Sequence, residues 1–464
     1  MQRDKKILIP ILVIGLLLGL VALRYLSVGP LLVGDEPYRH AWVAQYLRES
    51  GLGKVSTGVA NDSPEMPSAY DLLLFVSSAA LGIPLSNILI PMLLSLISLY
   101  LFWRLLGRFG FSDRASLFAM VLFCASPFFL FSSLTGDDGI LLMAIQLLFF
   151  VLFIDHSAFS FIGAICCSVL ATTFGIAHLL LDLVYAIVVC QVQCKGDHKF
   201  LIYLLGTLLV VGSTLPFFGF EPKSLLIGSR PDLSIVSDFG SPLGVSVFVV
   251  LLGFFGMMVL FNRERFAATA VVLLCLSALF TSQLIVYFSI ALIFCAALFL
   301  DYLWKRDWAI PQLRNITLLL LVCGLIFSSV SFGVRWANSA PDKDMVAALV
   351  ALSTYSDKDS VVFSGVGDGI YISSIASRKV YLDRTIPKDD LRQRQARALY
   401  DSYDLGYVKG VFAKEGITHI FIAPQMYQGE VWSRPGVGLS YLVQSNETFK
   451  NVYQANGYSI YALR

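Results

Sequence analysis

The chain is 464 residues long, 57% hydrophobic and only 14% charged, with a formal net charge of +2. A soluble domain carries about 25% charged residues, so this composition excludes an ordinary cytosolic globule, and 35 Phe and 20 Tyr exclude a solvated, disordered chain. The near-neutral balance leaves no basic footprint for nucleic acid; what remains is a polytopic membrane protein.

A helix needs about 20 apolar residues to cross hydrocarbon, and the elements follow from runs of that length. The first, 7–23, comes after Arg3, Lys5 and Lys6 and precedes no small-residue cleavage site, so it reads as an uncleaved anchor with a cytoplasmic N-terminus. About 60 residues of mixed character follow. They hold Gly34-Asp35-Glu36-Pro37-Tyr38-Arg39-His40 and an amphipathic stretch, 41–50, that stops at Gly51. Residues 67–83 are apolar but short and broken by Gly82 and Pro84, which predicts an interfacial or re-entrant helix rather than a span.

Further runs lie at about 85–106, 114–134, 139–155, 158–174, 175–193, 200–218, 243–261, 266–281, 284–303 and 312–334, for about eleven spans in all. With the N-terminus inside, the loops bearing Arg104/Arg108/Arg114, Lys195/Lys199, Arg263/Arg265 and Lys305/Arg306/Arg314 fall in the cytoplasm, as the positive-inside rule asks. An odd count places everything after Arg335 outside. The eight cysteines lie almost all within apolar runs and form no disulfide framework or metal-binding pattern.

The tail, 337–464, changes character abruptly. Met345 to Leu352 repeats on a helical period, 360–364 reads as a strand, and Gly365-Val-Gly-Asp-Gly369 as a turn without the spacing of a dinucleotide fingerprint. Residues 371–376 form a short helix and 379–382 a strand. A third strand, 417–422, follows Gly416, and two more flank Asn456-Gly457, a hairpin signal. The expected organisation is thus a transmembrane domain, 1–336, with acidic outer loops at 25–84 and 135–138, and an extracytoplasmic α/β domain, 337–464.

The informative residues are two acidic pairs expected at the outer surface, Asp35/Glu36 and Asp137/Asp138. Charges beside lipid are expensive and are usually kept for a task. Their carboxylates suit a hard divalent cation, but either pair can equally serve as the cap of the helix it precedes. His178 and Asp182, four residues apart inside a span, share a helix face and suggest an intramembrane polar site.

The order of an acidic first outer loop, an amphipathic helix, a second acidic loop and an α/β tail resembles the GT-C glycosyltransferases, and within them the single-chain oligosaccharyltransferase subunits of archaea and bacteria. Glu36-Pro37-Tyr38-Arg39-His40, running on to Gly51, is similar to that family's first acidic motif. Ser126-Pro127 and Ser132-Ser133-Leu134-Thr135-Gly136-Asp137-Asp138 resemble the approach to its second. Ser364-Gly365-Val366-Gly367-Asp368 stands where oligosaccharyltransferases carry paired tryptophans, the outer loop 219–242 is short, and Gln283 replaces a frequent arginine.

What the resemblance implies is transfer of a sugar from a polyprenyl-phosphate or pyrophosphate donor to a protein, lipid or glycan acceptor at the outer face of the membrane. Asp35 or Glu36 would take the acceptor's proton. Glu36, Asp137 and Asp138 would hold Mg²⁺ or Mn²⁺, and Arg39, His40, Lys223 and Arg230 would meet the donor phosphate. Two alternatives stay open: a catalytically inactive relative that binds lipid-linked sugar or partners, and a transporter or flippase.

Overall fold

A computed structural model describes residues 32–51, 55, 58–60, 67–155, 158–172, 174, 176–189, 245–278, 284–337, 341–384, 386, 391–445 and 447–464. The expected spans at 7–23 and 200–218, and the outer loop 219–242, lie outside the described residues. In chain order the helices are α1 (Glu36–Ser50), α2 (Ala69–Leu81), α3 (Ile83–Arg108), α4 (Asp113–Cys124), α5 (Pro127–Thr135), α6 (Asp138–Ile154), α7 (Ala158–Thr172), α8 (Ile176–Val189), α9 (Val247–Arg263), α10 (Arg265–Ala278), α11 (Ile285–Lys305), α12 (Pro311–Ala337) and α13 (Lys343–Tyr355).

Among the described residues three helices, α3, α11 and α12, are long and apolar enough to cross a membrane, and α4 with α5 makes a fourth if the bent pair is one span. The expected run 114–134 is therefore broken. Pro127 cannot donate to the preceding turn, and the Ser126 hydroxyl accepts from the Phe129 amide, so a new helix starts there at 54° to the old one. The other apolar helices are shorter; the 17 residues of α6 rise about 26 Å, slightly under the hydrocarbon thickness. Residues 67–83 form the 13-residue α2, as their interruptions predict.

The chain divides into two compact units: 1–30 with 88–338, and 31–87 with 339–464. In the first, α9 packs on α11 through glycine. A Cβ at Gly256 would lie 1.8 Å from the Cys295 carbonyl oxygen, and one at Gly253 2.7 Å from Leu292, so only glycine permits this approach. Each member of the His178/Asp182 pair finds a partner on another helix. The Ser168 hydroxyl donates to Asp182 at 2.7 Å, and His178 Nδ1 lies 3.1 Å from the Tyr287 hydroxyl.

The second unit holds a five-stranded sheet of β1 (Val361–Phe363), β2 (Lys379–Val380), β3 (Ile417–Ile422), β4 (Phe449–Ala455) and β5 (Tyr458–Leu463), in the order β2-β1-β3-β5-β4. The pairs β1/β2 and β1/β3 are parallel; β3/β5 and β4/β5 are antiparallel. Parallel neighbours need crossovers. A short helix, Gly369–Tyr371, continuing as a π-turn, Ile372–Ala376, links β1 to β2, and α14 (Leu391–Asp401) and α15 (Leu405–Glu415) link β2 to β3. Asn456 (φ 49°) and Gly457 (φ 85°) close the β4–β5 hairpin with the two left-handed residues that its tight turn requires.

Residues from the first loop complete this unit. The Ala60 amide donates to the Val380 carbonyl (2.8 Å) and the Val380 amide to that of Gly58 (3.0 Å), extending the sheet edge beyond β2. Tyr38, Val59 and Ala60 share one core with Leu349, Phe363, Ile372, Val380, Phe412 and Phe421.

Candidate functional site

The site is built where the chain enters α1. Gly34 takes a left-handed φ of 83°, and the carbonyl of Asp35 receives the amides of Tyr38 and Arg39, each at 3.1 Å. Asp35 stands at the capping position, but its side chain makes no cap hydrogen bond. The carboxylate turns instead to the far end of the sequence: the Arg384 guanidinium pairs with one oxygen, and the Tyr371 hydroxyl donates to the other at 3.3 Å. Tyr371 is itself held edge-on against Tyr38, with ring centroids 5.2 Å apart.

Burial pushes the Asp35 carboxyl above its ordinary range, and the negative charge of Glu36 adds to this, while Arg384 and the Tyr371 hydrogen bond oppose it; burial wins. The same burial, with Asp35 beside it, drives the Tyr371 phenol far above its usual value, so that oxygen keeps its proton and remains a donor. Glu36 differs from its neighbour. Its side chain is 48% exposed and accepts from Arg39 Nε at 2.9 Å, one turn along the helix.

His40 faces inward, fully buried, with Nδ1 2.6 Å from Asp71 Oδ1. Asp71 uses both oxygens, since Oδ2 accepts from the Ser68 amide at 2.8 Å in a reciprocal cap that starts α2. Burial alone would raise Asp71. The hydrogen bond and charge of His40, with the charge of Arg39, outweigh burial and hold it below the usual carboxylate range. On its other edge His40 Nε2 has no hydrogen-bond partner and points toward Glu36 Oε2, 3.8 Å away. Asp71, His40 and Glu36 thus form a chain running from the buried start of α2 to an exposed carboxylate.

The second acidic pair lies in the other compact unit. Asp137 caps α6, accepting from the Ile140 amide at 3.3 Å, and Asp138 occupies the first helical turn. A Cβ at Gly139 would sit 3.0 Å from the Ser132 hydroxyl and 3.2 Å from the Asp137 carboxylate, so glycine lets this turn close. Asp137 thus makes the capping hydrogen bond anticipated as one of its two readings. Lys223 and Arg230 fall outside the described residues.

Among the described residues no group of three His, Cys, Asp or Glu side chains converges to hold a metal ion. Asp35 and Glu36 each face a guanidinium and Asp137 accepts from its helix amide, and all of these carboxylates carry the hard oxygens that a divalent cation takes.

Sequence reasoning passed over Tyr371, Arg384 and Asp71. Ser68-x-x-Asp71 carried a readable capping signal, whereas nothing local marks Arg384 as the partner of an acid 349 residues away. Asp368 belongs to the Gly365–Gly369 turn and is not among the residues the sequence singles out for the site. It is buried in the loop after β1, accepts from the Ser364 hydroxyl at 3.2 Å, and is pushed up to about 7 by burial and by the neighbouring charge of Glu430.

No protein-family model matches the chain, and no curated protein sequence matches it. Solved structures do. The oligosaccharyltransferase of Archaeoglobus fulgidus in its apo form superposes with a TM-score of 0.64 at 13% identity, over 90% of this chain and 70% of that one. The same enzyme in complex with Zn and sulfate gives 0.63 at 14% identity, over 98% and 73%. ArnT from Cupriavidus metallidurans, bound to undecaprenyl phosphate, gives 0.58 at 11% identity and covers 97% of both chains. Together with the apolar helices, these likenesses make the chain a multi-pass helical membrane protein with the fold of the GT-C membrane glycosyltransferases.

Proposed function

We propose that the chain is a membrane glycosyltransferase that moves a sugar from a polyprenyl-phosphate or pyrophosphate donor to an acceptor at the outer face of the membrane, with Asp35 as the working base. The observation that carries this reading is the setting of Asp35: a largely buried carboxylate, oriented by Arg384 and Tyr371 and unused by its own helix. The ligands of the structural neighbours support the donor class, since one was solved with undecaprenyl phosphate and another with dolichol-phosphate.

An acceptor hydroxyl or amide is a weak nucleophile until its proton is removed, and a base works best when its pKa lies near the working pH. Asp35, raised by burial, is better matched to this than an ordinary exposed acid. As its carboxylate takes the proton, the acceptor atom bonds to the anomeric carbon. The bond from that carbon to the phosphate oxygen breaks, and the phosphate leaves with the electron pair. Arg384 and Tyr371 aim the carboxylate.

Arg39, with Lys223 and Arg230 of the outer loop, supplies cationic groups for the departing phosphate. His40 serves as a positioning residue, because its ring is buried and its Nδ1 is tied to Asp71; through Glu36 it orders the exposed end of α1. The carboxylates of Glu36, Asp137 and Asp138 are the hard oxygens that would take Mg²⁺ or Mn²⁺, and such an ion would offset charge on the departing phosphate.

The test is transfer from a radiolabelled polyprenyl-phosphate sugar panel by the purified full chain in nanodiscs, comparing Asp35→Asn with Glu36→Gln. Loss in the first and retention in the second is the expected result. Equal activity in Asp35→Asn and the parent would overturn the assignment.

A further inference from the structure

Strand β1 has β2 on one side and β3 on the other, both parallel to it. The chain therefore leaves β1 toward one edge and, after β2, crosses back past β1 to form β3. In an open parallel sheet such a reversal makes the loops at the strands' carboxyl ends diverge, and the crevice between them is where ligands bind. A cavity of about 380 Å³ opens there, within the range of small-molecule sites. Its walls come from all three loops and the crossover helix: Val366 after β1, Leu382 after β2, Glu430 after β3, and Arg397, Tyr400 and Asp401 on one face of α14.

The lining selects a ligand class. The Tyr400 hydroxyl is spent on the Ser364 carbonyl at 2.7 Å, so what this residue offers the cavity is carbon surface, as do Val366 and Leu382. Among the described residues the charged groups of the lining are two carboxylates, Glu430 and Asp401, and one guanidinium, Arg397, and buried Asp368 lies in the loop behind. That balance rejects a phosphate. It suits a neutral ring with many hydroxyls, which donates to carboxylates, accepts from a guanidinium and lays its C–H face on an apolar wall.

The cavity also adjoins the catalytic assembly. A Cβ at Gly367 would lie 3.0 Å from Glu430 Oε1 and 3.4 Å from Arg384 Nη2, so both side chains pass over this one glycine, and the same Arg384 holds Asp35. Gly369 is fixed by a second close approach, 2.6 Å from its would-be Cβ to the Leu382 carbonyl oxygen. Gly367 thus lies against both Glu430 of the cavity wall and Arg384.

We propose that this switch-point cavity is an acceptor subsite for a carbohydrate, whose reacting hydroxyl is presented to Asp35 past Arg384. The inference rests on the glycosyl-transfer reading for the word acceptor, but binding can be measured without transfer. The full chain in nanodiscs is mixed with methyl α-mannopyranoside, methyl β-glucopyranoside or methyl N-acetyl-β-glucosaminide, and saturation-transfer NMR reads binding, with an Asn-Val-Thr peptide for comparison. At least one glycoside receives saturation, and its affinity falls roughly fivefold or more both in the Glu430→Gln/Asp401→Asn variant and in the cavity-filling Ala396→Phe variant.

No saturated glycoside, preference for the peptide, or a glycoside signal that survives both variants would overturn the subsite. A parallel transfer assay separates the two readings. If Asp35→Asn stops transfer while both cavity variants leave the acceptor KM unchanged, the subsite is wrong and glycosyl transfer stands. If glycoside binding is lost in the cavity variants but the parent chain consumes no donor, the subsite stands and the transfer reading falls.

Discussion

The two acidic pairs look alike in the sequence and are held differently in the structure. Asp137 gives one carboxylate oxygen to an amide three residues away, whereas Asp35, at a similar helix start, makes no cap hydrogen bond and engages Tyr371 and Arg384, 336 and 349 residues distant. A largely buried carboxylate that forgoes its cap and is gripped by side chains from another part of the fold is a candidate for work beyond local stability.

The largest expected effect follows directly. Asp35→Asn keeps the shape and the Tyr371 contact but removes the proton acceptor, and transfer should fall by about 10²–10⁴-fold, the usual worth of a positioned base. Asp137→Asn, which keeps a capping oxygen, should leave transfer within a small factor of the parent. Equal losses in the two variants would erase the distinction between the pairs.

Stability offers the next contrast, because the His40–Asp71 pair is buried where Glu36–Arg39 is exposed. Replacing His40 by Ala leaves a buried carboxylate without its ring partner and should lower the stability of the second unit by about 3–5 kcal/mol, while Arg39→Ala should cost under about 1 kcal/mol. Thermal unfolding of the full chain, followed by near-ultraviolet circular dichroism, reads both. Since Asp71 is held below its unfolded value, the stabilisation is present above about pH 4 and disappears as pH falls through the lowered folded value. The difference between parent and Asp71→Asn should therefore shrink in acid.

Arg384 gives a smaller, pH-resolved effect. Transfer that needs ionised Asp35 declines as pH falls through the pKa of that group, which already lies above its ordinary value. Arg384 is the principal influence pulling it down, so Arg384→Gln should move the acid limb of the rate profile to higher pH, with the smallest loss of rate at alkaline pH. An unmoved acid limb would mean that Asp35 does not set it.

Much of the fold was legible because its signals are local. Apolar runs marked the helices from α3 to α12, and Gly82 with Pro84 separated α2 from α3. Asn456-Gly457 fixed the hairpin, since few residues accept two successive left-handed conformations. Spanning lengths were less legible: helices such as α6 and α9, each of 17 residues, occupy runs that read as full spans. Pairings between distant segments left no trace. The addition of Gly58–Ala60 to the edge of β2, the sheet order, and the meeting of Asp35 with Arg384 depend on three-dimensional neighbours that neither periodicity nor spacing reports.

The smallest effect tests the other half of the contrast. If Asp137 is only a cap, Asp137→Ala removes one charge-assisted hydrogen bond to the Ile140 amide and one favourable charge at the start of α6, together worth about 1 kcal/mol. Asp137→Ser, which can still accept from that amide, should recover most of the loss. Transfer in both variants should follow the fraction of folded protein and nothing more. Should Asp137→Ser restore stability while transfer stays more than about tenfold down, the carboxylate's charge itself is required, and Asp137 would move from helix cap to working acid beside Asp35.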